Sequence, residues 1–219
     1  MAGAPRAATR FGLLAIAGIA TSCASWFDEI GYFDMAPRLA YQGFSFDRPP
    51  NPFWYLRQSE ETHTSVTLRR HLPVPSATHT FYARVALASL PSEPTSHAEF
   101  AEMAAPGAQE APYEVRETSR RTELATRQGQ WCIRYETEHR VRGAPAAPDR
   151  ELVLLVRGER CLHPGFPRAV LDLHYSERGL PEELDSRLHE EGEAFLRGVR
   201  MDVAPGGPAG GSALAPPSR

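Results

Sequence analysis

Trp131, Ile133 and Tyr135 alternate with Cys132, Arg134 and Glu136, a stretch rich in Gly, Ala and Pro spans about residues 142 to 149, and Leu152 to Val156 is apolar at every position. A period of two is that of a pleated strand, whose successive side chains point to opposite faces. The first run therefore predicts a half-buried strand and the second its hairpin partner. A strand that is apolar on both faces belongs in the interior of a sheet, with a layer packed over each side. This pair constrains the chain more than any other feature, because it demands a sheet covered on both faces.

The same alternation recurs on either side. Phe44 and Phe46 flank Ser45 ahead of Pro49 and Pro50, which predicts a short strand stopped by prolines. Trp54 to Gln58 and Ser65 to Arg70 read as further strands, and Phe81, Ala83, Val85 and Leu87 share one face of another against Tyr82, Arg84 and Ala86. Tyr113 to Thr118 and Thr122 to Arg127 read as two polar edge strands. Ala169 to Tyr175 is the last, with Leu171, Leu173 and Tyr175 pointing one way.

Two helices interrupt the strands. Ser96 and Glu99 stand in capping-box spacing ahead of Phe100, Met103 and Ala104, and Pro106 with Gly107 ends that helix. A closing helix begins near Pro181, with Glu182, Glu183 and Asp185 at its start, Arg197 and Arg200 at its end, and Leu184, Leu188, Phe195 and Val199 along one stripe. The fold class expected is α+β, a largely antiparallel sheet flanked by two main helices.

The ends of the chain differ from this core. Arg6 and Arg10 precede the uncharged apolar run from Phe11 to Ala20, the layout of a secretory signal; the run is shorter than the roughly 20 residues of a membrane-spanning helix. Ala20, Thr21, Ser22 and Cys23 follow, a sequence that resembles the bacterial lipobox, in which the cysteine is acylated and becomes the mature N-terminus. The resemblance implies lipidation at Cys23; ordinary leader cleavage at a small residue nearby is the alternative. Ala24 stands where an Asp would imply retention in the inner membrane, so the resemblance points to the outer one. Residues 23 to 40 then read as a lipidated tether with aromatic anchors, 41 to 202 as one domain, and 203 to 219, made of Gly, Pro, Ala and Ser with little apolar bulk, as a disordered tail.

Lipidation of Cys23 would leave Cys132 and Cys161 as a pair among the three cysteines. With the hairpin centred near residues 145 to 146, residue 132 faces 159, and Cys161 lies two positions beyond, within reach if the strand end or a bulge gives way. A structural disulfide, a zinc site using Cys161 with His163 and His174, and free thiols are the three readings. The ligand pairs usual in zinc sites, C-x2-C or H-x3-H, are missing, and an oxidising compartment competes for the thiols.

Composition narrows the functions. Removing residues 1 to 22 takes away Arg6 and Arg10, leaving 22 Arg against 27 acidic residues and no Lys, a balance that argues against a nucleic-acid partner. No G-x-S-x-G, H-E-x-x-H or phosphate-cradling Gly loop occurs, so neither a catalytic residue, a metal nor a cofactor is assigned. His163, Pro164, Pro167, Arg168, His174, Tyr175, Glu177 and Arg178 form the densest polar and aromatic cluster, and His163, Arg168, Asp172, His174, Tyr175 and Arg178 are the candidates for a ligand or partner face. Asp172 and His174 share a strand face, with Arg178 available to an anion and His174 to a proton, and the alternative is a solvated face and turn.

Gly43-Phe44-Ser45-Phe46 before the prolines and Trp54, the helix opening Ser96-His97-Ala98-Glu99-Phe100, the hairpin and the closing amphipathic helix together resemble the PsbP-like α/β/α sandwich over residues 41 to 202. The resemblance implies a binding or accessory module and carries no site residues across. The expectation is a non-enzymatic envelope lipoprotein, held at the membrane by its lipid and facing the periplasm, with an envelope protein as partner. A small hydrolase or metal-binding protein using His163 and His174 is the alternative.

Overall fold

The computed structural model of the chain describes residues 27–31, 35–59, 64–73, 76–107 and 112–202. The leader and lipidation site (1 to 23) and the tail after residue 202 lie outside them. Eleven strands and two helices follow one another along the described chain. They are β1 (Phe27–Ile30), β2 (Arg38–Tyr41), β3 (Phe44–Asp47), β4 (Trp54–Ser59), β5 (Ser65–Arg70), β6 (Thr80–Ser89), α1 (His97–Met103), β7 (Glu114–Arg127), β8 (Gln130–Arg142), β9 (Leu152–His163), β10 (Phe166–Gly179), α2 (Ser186–Gly198) and β11 (Val199–Met201). The main sheet has eight strands in the order β1-β4-β5-β6-β10-β9-β8-β7, and β11-β3-β2 form a second sheet of three. Every pairing is antiparallel. The α+β class expected from the sequence holds.

The two faces of the main sheet are covered differently. Phe81, Ala83, Val85, Leu171, Leu173 and Tyr175 point toward α2 and the small sheet, where they pack with Phe44, Phe46, Leu188 and Phe195. Ile133 and Val170 point the other way and meet Phe100 and Ala104 of α1. One face is thus covered by α2 together with the small sheet, and α1 covers only one end of the other.

Several boundaries differ from the sequence reading. Strands β1 and β2 pair with β4 and β3, so ladder pairing is present before residue 41, and the segment expected as a tether supplies an edge strand to each sheet. The two polar strands after α1 are one, β7, kept continuous by a bulge between Glu117 and Ser119. It is polar on both faces because it is an edge. Strand β10 runs on to Gly179, so Glu177 and Arg178 are strand residues and not turn residues. Pro181–Glu183 form a separate 3₁₀ turn, and α2 starts after it, capped by the Asp185 carboxylate on the Arg187 amide.

Cys132 and Cys161 form a disulfide, with Cα atoms 4.1 Å apart. They are direct partners in the β8–β9 ladder, and Glu159 faces Arg134 instead. The hairpin loop extends to Glu151, two residues further than the composition suggests, and this moves the register by two.

Candidate functional site

The face of the sheet shared by Asp172, His174 and Arg178 is the one the sequence nominated. β10 alternates cleanly there, with Leu171, Leu173, Tyr175 and Glu177 buried on the α2 side. Cross-strand neighbours complete the site. Asp172 lies between Ala86 of β6 and Arg160 of β9, and His174 between Arg84 and Gly158.

The Asp172 carboxylate is fully engaged. One oxygen accepts from the Tyr135 hydroxyl at 3.0 Å and pairs with His174 Nδ1 at 3.2 Å, and the other accepts from Arg160 Nε and Nη2 at 3.1 and 2.9 Å. Burial by itself would raise the carboxyl pKa, but the hydrogen bonds and charges of His174 and Arg160 outweigh it and hold it at about 2. Burial, reinforced by the Asp172 charge, pushes the Tyr135 phenol well above its ordinary value, so it remains a donor. Arg160 Nη1 reaches on to the carbonyls of Ala104 and Ala105 at the end of α1. The cluster therefore straps α1 to the sheet. Gly158 makes it possible, because a Cβ there would lie 2.5 Å from the Cβ of His174 and 2.9 Å from the Tyr135 oxygen.

What remains available is the imidazole edge of His174 and the arginines around it. No hydrogen bond joins His174 to Ser176, the nearest hydroxyl on the same strand face, so no activated nucleophile stands here.

The other nominated residues are dispersed. His163 is buried beside the turn between β2 and β3, its Nε2 donating to the Gly43 carbonyl at 2.7 Å while Nδ1 accepts from the Gly165 amide at 3.0 Å. Gly43 has φ of +80°, and a Cβ there would come within 2.8 Å of that ring. His163 continues the α2 side of β9 below Cys161, so it and His174 are on opposite faces and cannot share a ligand. Tyr175 is buried under α2, its hydroxyl donating to Glu193 at 3.1 Å. Arg168 donates to the Pro91 carbonyl at the far end of β10. Arg178 shares the His174 face, and its Nε is shielded from water without a hydrogen-bond partner. Among the described residues, no group of three His, Cys, Asp or Glu side chains is placed to hold a metal.

Sequence reasoning missed Tyr135 and Arg160, because both join the site across strands. A hairpin register placed two residues differently would have found Arg160 opposite Ile133 and next to Asp172. Glu177, which the sequence reading groups with that cluster, is instead a second buried carboxylate, on the α2 side. That side chain is fully enclosed, bonded to His79 Nε2 at 2.7 Å, to His189 Nε2 at 2.8 Å and to the Asp185 amide at 2.8 Å.

A polar groove lies between α2 and strands β7 to β9. Two adjoining cavities of about 200 and 740 Å³ share Arg134, Glu159, Glu193 and Leu196. Glu159 on its floor receives Arg127 and Arg134, each at 2.9 Å. Arg127 also donates to the carbonyls of Leu196 and Val199, which closes the end of α2 against the β7–β8 turn. Arg121, Arg197 and Arg200 line the groove as well.

No protein-family model matches the chain, and no curated protein sequence matches it. Among solved structures the chain is similar to the Ran-binding protein Mog1p of Saccharomyces cerevisiae, at 10% identity over 80% of this chain and 95% of that one, with a TM-score of 0.29. A likeness of that size carries neither fold nor function from one protein to the other.

Proposed function

We propose that this protein is a cell-envelope lipoprotein, acylated at Cys23 and facing the periplasm from the outer membrane, with a binding or accessory role and not an enzymatic one. The observation that carries the reading is the disulfide between Cys132 and Cys161. Cross-strand disulfides persist in oxidising compartments, and this one accounts for two of the three cysteines, leaving Cys23 within its lipobox-like sequence. The arrangement of α1 and α2 on opposite faces of one sheet supports the finer assignment to a PsbP-like α/β/α sandwich. The partner in this reading is an envelope protein, offered the groove beside α2, where Arg121, Arg197 and Arg200 have no ion-pair partner among the described residues.

Fractionation of the Cys23→Ser variant tests the anchor. At roughly 1 M salt, where surface charge is screened within about 3 Å, the variant is expected in the soluble fraction and the wild type with membranes; identical partitioning sinks the anchor. Crosslinking in native envelopes tests the partner. A specific crosslinked protein should disappear when Arg121, Arg197 and Arg200 are changed to Ala, and an unchanged set of crosslinks counts against the groove. No observation favours a hydrolase or metal protein built on His163 and His174, whose rings are separated by the sheet.

A further inference from the structure

The half of the sheet that α1 leaves uncovered carries a staircase of arginines. Arg57 on β4, Arg69 on β5, Arg84 on β6 and Arg178 on β10 all lie on the His174 face, as their ladder partners show: Arg57 faces Thr67, Arg69 faces Tyr82, Arg84 faces His174 and Arg178 faces Thr80. Adjacent strands are about 4.8 Å apart and alternate residues about 6.6 Å, so Arg69, Arg84, Arg178 and His174 surround Tyr82 within about 10 Å. The side chains of Arg69, Arg84 and Arg178 make no hydrogen bond or ion pair with any described residue. The one carboxylate in this central region, Asp172, is consumed by Arg160, His174 and Tyr135. Glu29 of β1 is the ladder partner of Arg57, and Glu117 lies on β7 at the opposite edge of the sheet. The four arginines are spread over four strands, from Arg57 on β4 to Arg178 on β10, a spacing that suits an extended anionic surface better than a single small anion.

The chain itself indicates which surface. Only Ala24, Ser25 and Trp26 separate Cys23 from β1, a reach of at most about 14 Å at up to 3.6 Å per residue. An acylated Cys23 would therefore hold the β1 edge of the sheet at the headgroups, one strand from Arg57 and two from Arg69. We infer that the basic face of β4, β5, β6 and β10 docks on the anionic phospholipid headgroups of the membrane in which Cys23 is anchored, so that the domain lies on the bilayer with α2 and its groove turned to the periplasm. This rests on the lipoprotein reading for the choice of a lipid surface.

The test uses the mature chain, residues 23 to 219, carrying Cys23→Ser, so that the face is measured without leader or acyl chains, and vesicles of phosphatidylcholine with or without phosphatidylglycerol. At low salt the variant should sediment with the phosphatidylglycerol vesicles and not with phosphatidylcholine alone. Adding Arg69→Ala, Arg84→Ala and Arg178→Ala should lower the partition coefficient by about fivefold per arginine, roughly a hundredfold in all. Melting temperature is read beside binding, and Arg84→Ala by itself, at an exposed residue, should lower binding and leave the melting temperature unchanged. Equal binding to both lipids, no effect of the three substitutions, or binding to soluble polyglutamate in place of vesicles would each overturn the inference, the last by making the partner an acidic protein. The mass of the N-terminal peptide of the wild type reads acylation separately, so failure of the anchor and failure of the face are distinguished.

Discussion

Asp172 shows how one residue can be legible in type and misread in role. Its place on a strand face beside His174 follows from alternation, but the four bonds that occupy its carboxylate come from three strands. Removing it leaves Arg160 largely enclosed without its counter-ion, so Asp172→Ala is expected to cost about 3 kcal/mol in urea unfolding, with α1 loosened first. A loss below about 1 kcal/mol would put the cluster in the class of exposed ion pairs. Gly158 belongs to the same site. The space for a methyl group there is already filled by His174, Tyr135 and the Leu173 carbonyl, and Gly158→Ala should destabilise by about 1–3 kcal/mol. His163 teaches the converse, since a histidine that looked available proved to be a tie between β9 and the β2–β3 turn.

At the scale of elements, the docking of α2 depends on Glu177. Burial tends to raise its carboxyl pKa, but the bonds from His189, the Asp185 amide and His79 outweigh that and lower it below 4.5. A carboxylate whose folded pKa is depressed contributes its stabilisation in full above the unfolded value and loses it as pH falls through the folded one. Stability should therefore decline below pH 4.5, and Glu177→Gln should make that acid limb shallower; an unaltered limb would assign it to other carboxylates. The β8–β9 pair offers a second element-scale outcome. Their disulfide spans a sequence separation of 29 residues, and loop-closure entropy gives it about 3–4 kcal/mol. Replacing both cysteines with Ala should lower unfolding free energy by that order, measured in urea at equal pH.

For the whole molecule, the two helices sit on opposite faces of one sheet and their cores do not touch, yet both depend on β10, which contributes Val170 to one and Leu171, Leu173 and Tyr175 to the other. Unfolding should therefore be a single transition. Phe100→Ala under α1 and Phe195→Ala under α2 are each expected to cost about 3–5 kcal/mol and to shift fluorescence and circular dichroism together. Separate midpoints for the two probes would show that the α1 side unfolds on its own. The same asymmetry, α2 with the small sheet on one side and α1 at one end of the other, creates both the groove and the open basic face.

The sequence by itself determined the alternating strands from Phe44 to Tyr175, the Ser96 cap of α1, the amphipathic closing helix and the closeness of Cys132 to Cys161. These depend on local periodicity and on the geometry of a single hairpin, which neighbouring residues carry in full. Tertiary structure decided the rest: that β1 closes an eight-stranded sheet, that β3 leaves it for a smaller one, and that His163 and His174 face apart. It also placed Tyr135 and Arg160 on Asp172, and His79 and His189 on Glu177. The physical reason is the pleat itself, because a shift of one residue in register turns a side chain to the other face, and register between distant strands is settled by packing that no local pattern contains.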